Sequence, residues 1–224
     1  MVKMENKVYL ARTDALNDEK VFARLYSAVP EERRRKADRF VQKRDKMLSI
    51  GAEILLKRAL VDCGIEDFSL RYGENGKPYL SDNALFFNLS HSENTVICAV
   101  SEREIGVDAE KVGEVDMEIA RRFFHRDEFA LLEKLPTNAE KREMFFRLWT
   151  LKESFVKALG KGILMPLDSF CVEFTGGEIS VRQNVSPNKY FFKEYALGDG
   201  FRYAVCGLCG EFEDEVRFVE LGNL

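Results

Sequence analysis

Apolar residues recur at three- and four-residue steps in three parts of the chain, and this period is typical of helices with one buried face. The clearest stripe predicts a helix over about residues 45–62, with Asp45 able to cap its start and Gly64 beyond its end. Its members are Met47, Ile50, Ile54, Leu55 and Ala59. A charged helix is expected before it, over about 30–41, and longer helical stretches after it, over about 117–134 and 139–159.

Between and after these helices the period changes to that of short β-strands, bounded by Gly, Asn and Asp turns. Helices followed by antiparallel-looking strands occur twice along the chain. The pattern therefore predicts an α+β fold, a pseudodimer of two similar halves, each a small mainly antiparallel sheet packed with helices. We place the N-terminal half at residues 1–103 and the C-terminal half at 104–224.

Composition narrows the functional classes. The 224 residues are 46% apolar and 32% charged, with a net charge of −4, whereas a general nucleic-acid binder needs a basic surface. No apolar run approaches 18 residues, so no membrane span is expected. The start of the chain carries no apolar secretory region, and we therefore expect a cytoplasmic protein.

Five cysteines are present, and Cys206 and Cys209 form a C-x-x-C pair. Such a pair is found in redox sites and in half of some zinc sites. Here it ends an apolar strand-like run, and no second close cysteine or histidine pair completes four ligands. Both functional readings are therefore weak.

The segment Gly106–Glu110 carries two acids at a spacing of two. In a strand, Asp108 and Glu110 then point to the same face, where two carboxylates repel unless a cation lies between them. Mg²⁺ suits such an all-oxygen site. The alternative is a strand exit with solvated acids.

A second candidate is the helical run from 147 to 162, in which Trp149, Glu153 and Lys157 lie four residues apart. Glu153 and Lys157 fit an ordinary surface ion pair. They also fit a third metal-binding carboxylate beside a cation that neutralises a phosphate. Spacing alone does not choose between these readings.

Two further segments carry polar groups. The strand Phe86–Ser92 ends in Ser90, His91 and Ser92, but neighbours on a strand face opposite sides, which makes a serine–histidine nucleophile pair awkward. Between Glu31 and Lys46 lies a run of arginines and lysines, which forms either a solvated helix face or an anion site.

Together these stretches resemble the 4'-phosphopantetheinyl transferase superfamily, and specifically its surfactin-synthetase-activating type. The matching segments follow the family's order and approximate spacing and are residues 76–80, 87–92, 106–110, 123–128 and 149–162. The resemblance implies a cytoplasmic enzyme that moves the phosphopantetheine arm of coenzyme A onto a serine of an apo acyl or peptidyl carrier protein. It also implies a monomer.

The resemblance assigns roles that spacing left open. Asp108, Glu110 and Glu153 would hold Mg²⁺, with Mn²⁺ as an alternative ion, against the coenzyme A pyrophosphate. Glu153, directly or through a metal-bound water, would deprotonate the serine. Lys157 would stabilise the charge that develops on the leaving group.

The same resemblance names the groups that bind coenzyme A. Contacts to the phosphates or the nucleotide would come from Lys77, Ser90 and His91. Arg33 and Lys36 match positions that would bind the 3'-phosphate. Ser49 matches a position where a hydroxyl would contact the ligand.

Two other functions compete with this assignment. One is a non-catalytic module that binds coenzyme A or a carrier protein, which the intact acids disfavour. The other is a Mg²⁺-dependent coenzyme A pyrophosphatase, which would release adenosine 3',5'-bisphosphate without a carrier.

Overall fold

The computed structural model describes residues 4–82 and 84–224, with the side chain of Ile163 left aside. Six helices lie in this part of the chain: α1 Glu19–Ala28, α2 Glu31–Ala37, α3 Lys43–Val61, α4 Met117–Phe123, α5 Arg126–Glu133 and α6 Asn138–Leu159. The strands of the first half are β1 Lys7–Arg12, β2 Leu70–Tyr72, β3 Pro78–Leu80, β4 Phe86–Ser92 and β5 Thr95–Ser101. Those that follow are β6 Ile105–Lys111, β7 Cys171–Thr175, β8 Glu178–Arg182, β9 Phe191–Tyr195, β10 Phe201–Gly207 and β11 Arg217–Phe218.

The strands form two principal sheets with matching connections. In one, the order is β11-β1-β5-β4, and in the other it is β6-β10-β9. In the first sheet, β1 pairs antiparallel with β5, which pairs antiparallel with β4, and β11 adds in parallel to the other edge of β1. In the second sheet, β6 pairs antiparallel with β10, which pairs antiparallel with β9. The sheets are small and mainly antiparallel, as predicted, and the fold is mixed α+β.

The two sheets pack face to face, and a long helix covers the outer face of each. Strand alternation divides the side chains: Val8 and Leu10 of β1 enter the core between the sheets, while Tyr9 and Ala11 enter the core beneath α3. The same alternation on β10 places Val205 between the sheets. The layers therefore run α3, sheet, sheet, α6, and the two long helices are the outer layers.

The long helices predicted from apolar stripes are confirmed. The helix α6 begins with a capping box between Thr137 and Glu140 and ends at Gly160, whose φ of 67° lies in the left-handed region that favours glycine. The single helix expected over 117–134 is wrong, because the backbone is extended at Phe124 and His125. There the His125 side chain accepts from the amide of Asp127 and caps α5.

Other differences concern short elements with weak patterns. Helix α1 was not predicted, since Leu25 is its one buried residue. It begins at Asp18, whose carboxylate accepts from the amides of Lys20 and Val21. The helix expected over 30–41 ends at Ala37.

At Gly106 the backbone of α6 lies directly on β6. A Cβ at this position would be 2.8 Å from the carbonyl carbon of Lys157, and closer still to the Ser154 oxygen and the Ala158 nitrogen. Since these atoms are backbone, no side-chain rotation could relieve the overlap. Glycine is therefore required here for α6 to reach the strand that carries Asp108.

None of the helices formed by the described residues is both long and apolar enough to cross a lipid bilayer.

Substitution Gly106→Ala is expected to destabilise the protein by about 3 kcal/mol or more, because α6 must move away from β6. The matched control is Gly113→Ala, since a Cβ there meets only one atom, the Lys111 oxygen at 4.0 Å. Urea unfolding measures both variants. A cost at Gly106 no larger than at Gly113 would contradict this reading of the contact.

Candidate active site

A buried carboxylate, a hydroxyl and an ammonium meet where β4, β6 and α6 converge. Lys157 Nζ donates to Asp108 Oδ1 at 2.6 Å and to Ser90 Oγ at 2.9 Å. Ser90 Oγ in turn donates to the same carboxylate oxygen at 2.8 Å. Asp108 is 3% exposed, so this group is held away from bulk water. The structure thus brings together three residues that the sequence analysis proposed separately.

Strand β4 is fastened to β6 through three alternating polar side chains. Asn88 Oδ1 accepts from the amide of Val107 at 2.9 Å, and Ser92 Oγ donates to Glu110 at 3.1 Å. The Ser90 bond to Asp108 lies between them. Asn88 and Ser92 were missed as site residues. The signal was available, because polar residues at every second position of an apolar strand mark one face.

Three acids share this region. Burial and the nearby Asp108 carboxylate raise the pKa of Glu110 to about 7, against the lowering effects of Ser92 and Lys157. Burial and Asp108 also raise the pKa of Glu153, while Lys157 lowers it. Because Glu153 contributes to the raised pKa of Glu110, all three carboxylates lie within electrostatic range of one another.

The donor set fits a hard divalent cation. Asp108 Oδ2 is buried and has no hydrogen-bond partner among the described residues, although a buried carboxylate oxygen normally has one. Glu110 and Glu153 lie within electrostatic range of Asp108 and Lys157, so a divalent ion would offset the excess of negative charge. Oxygen-only ligands of this kind suit Mg²⁺.

His91 lies on the other face of β4 from Ser90, as strand alternation predicts. Its side chain is exposed on the side of β4 that carries Phe87 and Leu89 toward α3. Desolvation and the charge of Lys157 lower the pKa of His91, with Asp45 acting in the opposite direction. The imidazole is therefore near the carboxylate cluster electrostatically without bonding to it.

The predicted 3'-phosphate residues lie in a separate cavity of about 280 Å³. Arg33 and Lys36 line it, together with Glu53 of α3. The Arg33 guanidinium pairs with Glu53 at 2.7 Å, and both side chains are largely buried. Ser49 is buried one turn earlier on α3, and its hydroxyl has no partner among the described residues. None of the described hydrogen bonds joins this cavity to the carboxylates.

Lys77 is predicted to contact a ligand phosphate, whereas its ammonium lies against the protein backbone. Its ammonium donates to backbone carbonyl oxygens of Lys157, Ile105 and Ala158. Burial lowers the pKa of Lys77 to about 8. This geometry favours a structural role for Lys77. Its contact with a ligand phosphate stays a prediction.

The chain is similar to known proteins over almost its whole length. A family model described as the 4'-phosphopantetheinyl transferase superfamily matches residues 104–206, and another, described as 4'-phosphopantetheinyl transferase, N-terminal, matches residues 17–103. The chain is 33% identical to the 4'-phosphopantetheinyl transferase Sfp of Bacillus subtilis over 97% of its own length and 99% of that protein.

The chain belongs to the 4'-phosphopantetheinyl transferase superfamily. The 4'-phosphopantetheinyl transferase gsp of Aneurinibacillus migulanus is also 33% identical, over 85% of this chain and 81% of the relative. A solved holo-[acyl-carrier-protein] synthase of Thermotoga maritima covers 46% of this chain and 61% of its own, at 21% identity and a TM-score of 0.40. That last likeness is too distant to support an inference. The chain is therefore an enzyme of the transferase class.

A buried ion pair fixes the position of α6 in the transferase. Lys152 is fully buried, and its ammonium donates to both carboxylate oxygens of Glu128 at 2.7 Å and to the Phe170 carbonyl at 2.9 Å. Glu128 also accepts from the amides of His125 and Val172. Every partner is satisfied, so this pair locks α6 to α5 and β7.

A cluster elsewhere in the transferase resembles a metal site by distance alone. The ligand atoms of His125, Asp127 and Cys171 lie within 4.8 Å of one another. However, the Arg182 guanidinium already pairs with Asp127 at 2.7 Å, and burial raises the pKa of the Cys171 thiol to about 11. These side chains cap α5 and hold β8, which accounts for their closeness.

The cysteines of the transferase are free thiols, including the C-x-x-C pair. Cys206 and Cys209 are both buried, and burial raises the pKa of the Cys206 thiol well above its ordinary value. A buried, protonated thiol is a poor nucleophile and a poor ligand.

In the metal-free protein, Glu110 binds its proton more tightly folded than unfolded, so stability falls as the pH rises from about 4.5 to about 7. Glu110→Gln is therefore expected to stabilise the metal-free protein at pH 8 by on the order of 1 kcal/mol, allowing for partial exposure. At pH 4 the effect should vanish. Urea unfolding in EDTA measures both.

The control for this prediction is the exposed Glu178→Gln, which should change stability at neither pH. Mg²⁺ should stabilise the wild type at pH 8 more than Glu110→Gln, because the substitution removes an expected ligand of the ion. A Glu110→Gln variant less stable than the wild type at pH 8 would show that the carboxylates do not repel.

Lys152→Met is expected to cost about 3–5 kcal/mol, because it leaves the Glu128 charge buried without its partner. The double variant with Glu128→Gln should recover part of this loss. Urea unfolding is again the measurement, with the exposed Lys20→Met as the control. A loss below about 1 kcal/mol would mean that Glu128 finds another partner or becomes protonated cheaply.

Proposed function

We propose that this protein transfers the 4'-phosphopantetheine arm of coenzyme A to a serine of an apo acyl or peptidyl carrier protein. Adenosine 3',5'-bisphosphate is the product that leaves. The observation that carries the proposal is the bond from Lys157 to the buried Asp108 carboxylate, with Glu110 and Glu153 within electrostatic range of it. Displacement at a phosphorus with several anionic oxygens needs a divalent ion, a cation and a base, and little else.

The chemistry assigns one step to each group. The serine Oγ of the carrier attacks the phosphorus that bears the pantetheine arm, and the bond from that phosphorus to the bridging oxygen breaks. Glu153 accepts the serine proton, directly or through a bound water. Lys157 stabilises the charge on the departing bisphosphate.

Asp108, Glu110 and Glu153 would hold Mg²⁺ at this site. The ion supplies charge neutralisation for the pyrophosphate when bound. Within residues 4–82 and 84–224, two of the three Lys157 ammonium donors are used by Asp108 and Ser90. The third donor is therefore available to a phosphate oxygen.

The nucleotide end of coenzyme A is assigned to the cavity beside α3. Arg33 and Lys36 supply positive charge for the 3'-phosphate, and Arg33 is held in place by Glu53. The buried Ser49 hydroxyl, which lacks a partner among the described residues, is a candidate donor to the same ligand. His91 would contact the phosphates between the two regions.

The two matching sheets support a division into halves at residues 1–103 and 104–224, as a pseudodimer within one chain. Site residues come from both, since Ser90 lies in the first half and Asp108 in the second. A single chain thus supplies a complete site, and we propose that the enzyme acts as a monomer.

The test is incubation of the protein with coenzyme A, Mg²⁺ and a panel of apo carrier proteins, read by mass spectrometry. We expect a carrier to gain the mass of one phosphopantetheine arm, and EDTA to prevent this. Asp108→Ala and Glu153→Gln should abolish transfer at a temperature at which thermal melts show each variant to be folded. Glu143→Gln, an exposed position on the same helix, is the matched control.

No mass gain on any carrier would sink the proposal. Release of adenosine 3',5'-bisphosphate in the absence of a carrier would identify a pyrophosphatase instead.

A further inference from the structure

The turn between β2 and β3 crosses from the N-terminal half and closes the C-terminal end of α6. From this geometry we infer that Lys77 is a positioning residue, which holds the last turn of α6 so that Lys157 stays against Asp108. The inference rests on the proposed function, because it concerns the cation that acts on the pyrophosphate.

One ammonium bonds to both elements that carry the catalytic charges. Lys77 Nζ donates to the Lys157 carbonyl at 2.6 Å and to the Ala158 carbonyl at 3.4 Å, at the end of α6. It also donates to the Ile105 carbonyl at 3.0 Å, at the start of β6. Three residues after Ile105, the strand presents Asp108. Lys77 therefore ties the backbone of Lys157 to the strand of its partner.

A cation is the natural group for this place. The last carbonyls of a helix have no partners within the helix, and the negative end of the helix dipole points at them. The Gly160 amide gives one of these carbonyls a partner, since it donates to the Lys157 carbonyl at 3.2 Å. Lys77 supplies the further donors, and Asn75 of the same turn donates to the Gly160 carbonyl at 3.0 Å.

Lys77 is mainly in its ammonium form at neutral pH. Burial lowers its pKa to about 8, while the Glu104 carboxylate acts to raise it. All three ammonium hydrogens have carbonyl acceptors at the distances given above. A phosphate contact would require Lys77 to give up these bonds.

The two roles for Lys77 differ in kinetics. In Lys77→Met the donors are lost while most of the stem is kept, so the end of α6 loosens. If Lys77 positions Lys157, kcat should fall about 10- to 100-fold, with KM for coenzyme A within about twofold of the wild type. If Lys77 instead binds the ligand uniformly, KM should rise and kcat should not change. That second result would overturn the inference.

A double-variant cycle tests whether Lys77 acts through Lys157. In the Lys157→Met background, adding Lys77→Met should lower the residual rate by less than about twofold, because the group being positioned is absent. Independent, multiplicative losses would overturn the inference. Lys77→Arg, which keeps a charged donor, should recover most of kcat. Asn75→Ala should lower kcat in the same direction but within about fivefold.

The control is Lys134→Met, an exposed lysine at the end of α5, which should leave kcat and KM unchanged. Thermal melts of all variants set an assay temperature at which each is folded. The wild type is assayed in parallel on the same carrier. Absence of wild-type transfer contradicts the proposed function, whereas normal wild-type transfer with a pure KM effect at Lys77 contradicts only the positioning role.

Discussion

The missing side chain at Gly106 allows the backbone of α6 to lie on β6, and the geometry of the site depends on this contact. Asp108 is two residues along the strand, on the same face, and Lys157 is on the helix segment that touches the glycine. A side chain at this position would overlap the backbone of α6 and push the helix away. The hydrogen bond between Lys157 and Asp108 would then become too long. The two halves of the chain contribute to this contact from opposite ends, since Lys77 closes the end of the same helix.

The clustered carboxylates of the site lower the stability of the fold, and other contacts in the structure compensate for this loss. Burial and, after it, the charge of Asp108 raise the pKa values of Glu110 and Glu153. Lys157 offsets part of this effect, and a divalent ion would offset the rest. Meanwhile the buried pair of Lys152 and Glu128 anchors α6 through bonds that do not involve ligands. The anchoring Lys152 and the proposed catalytic Glu153 are thus adjacent residues of one helix.

How much of the fold could be predicted depended on how strongly each element is patterned. The long helices α3 and α6 and most strands followed from period alone, because their buried faces are continuous. Helix α1 buries only Leu25 and left no stripe to detect. The break at Phe124 and His125 was missed because it is set by a capping box, in which His125 accepts from a nearby amide. Local bonds of this kind compete with helix continuation and leave the apolar period intact.

The sequence by itself determined which residues carry charge and which face of an element they occupy. It singled out Asp108 with Glu110 and, separately, Glu153 with Lys157, and the family resemblance then grouped them and supplied their roles. Only the tertiary structure decided which groups meet, because spacing fixes a direction from one element and not the distance to another. It paired Arg33 with Glu53, brought Ser90 to Asp108, and turned Lys77 toward carbonyls at the end of α6. Those partners are 18 or more residues apart in the chain, so their contact depends on how the layers pack.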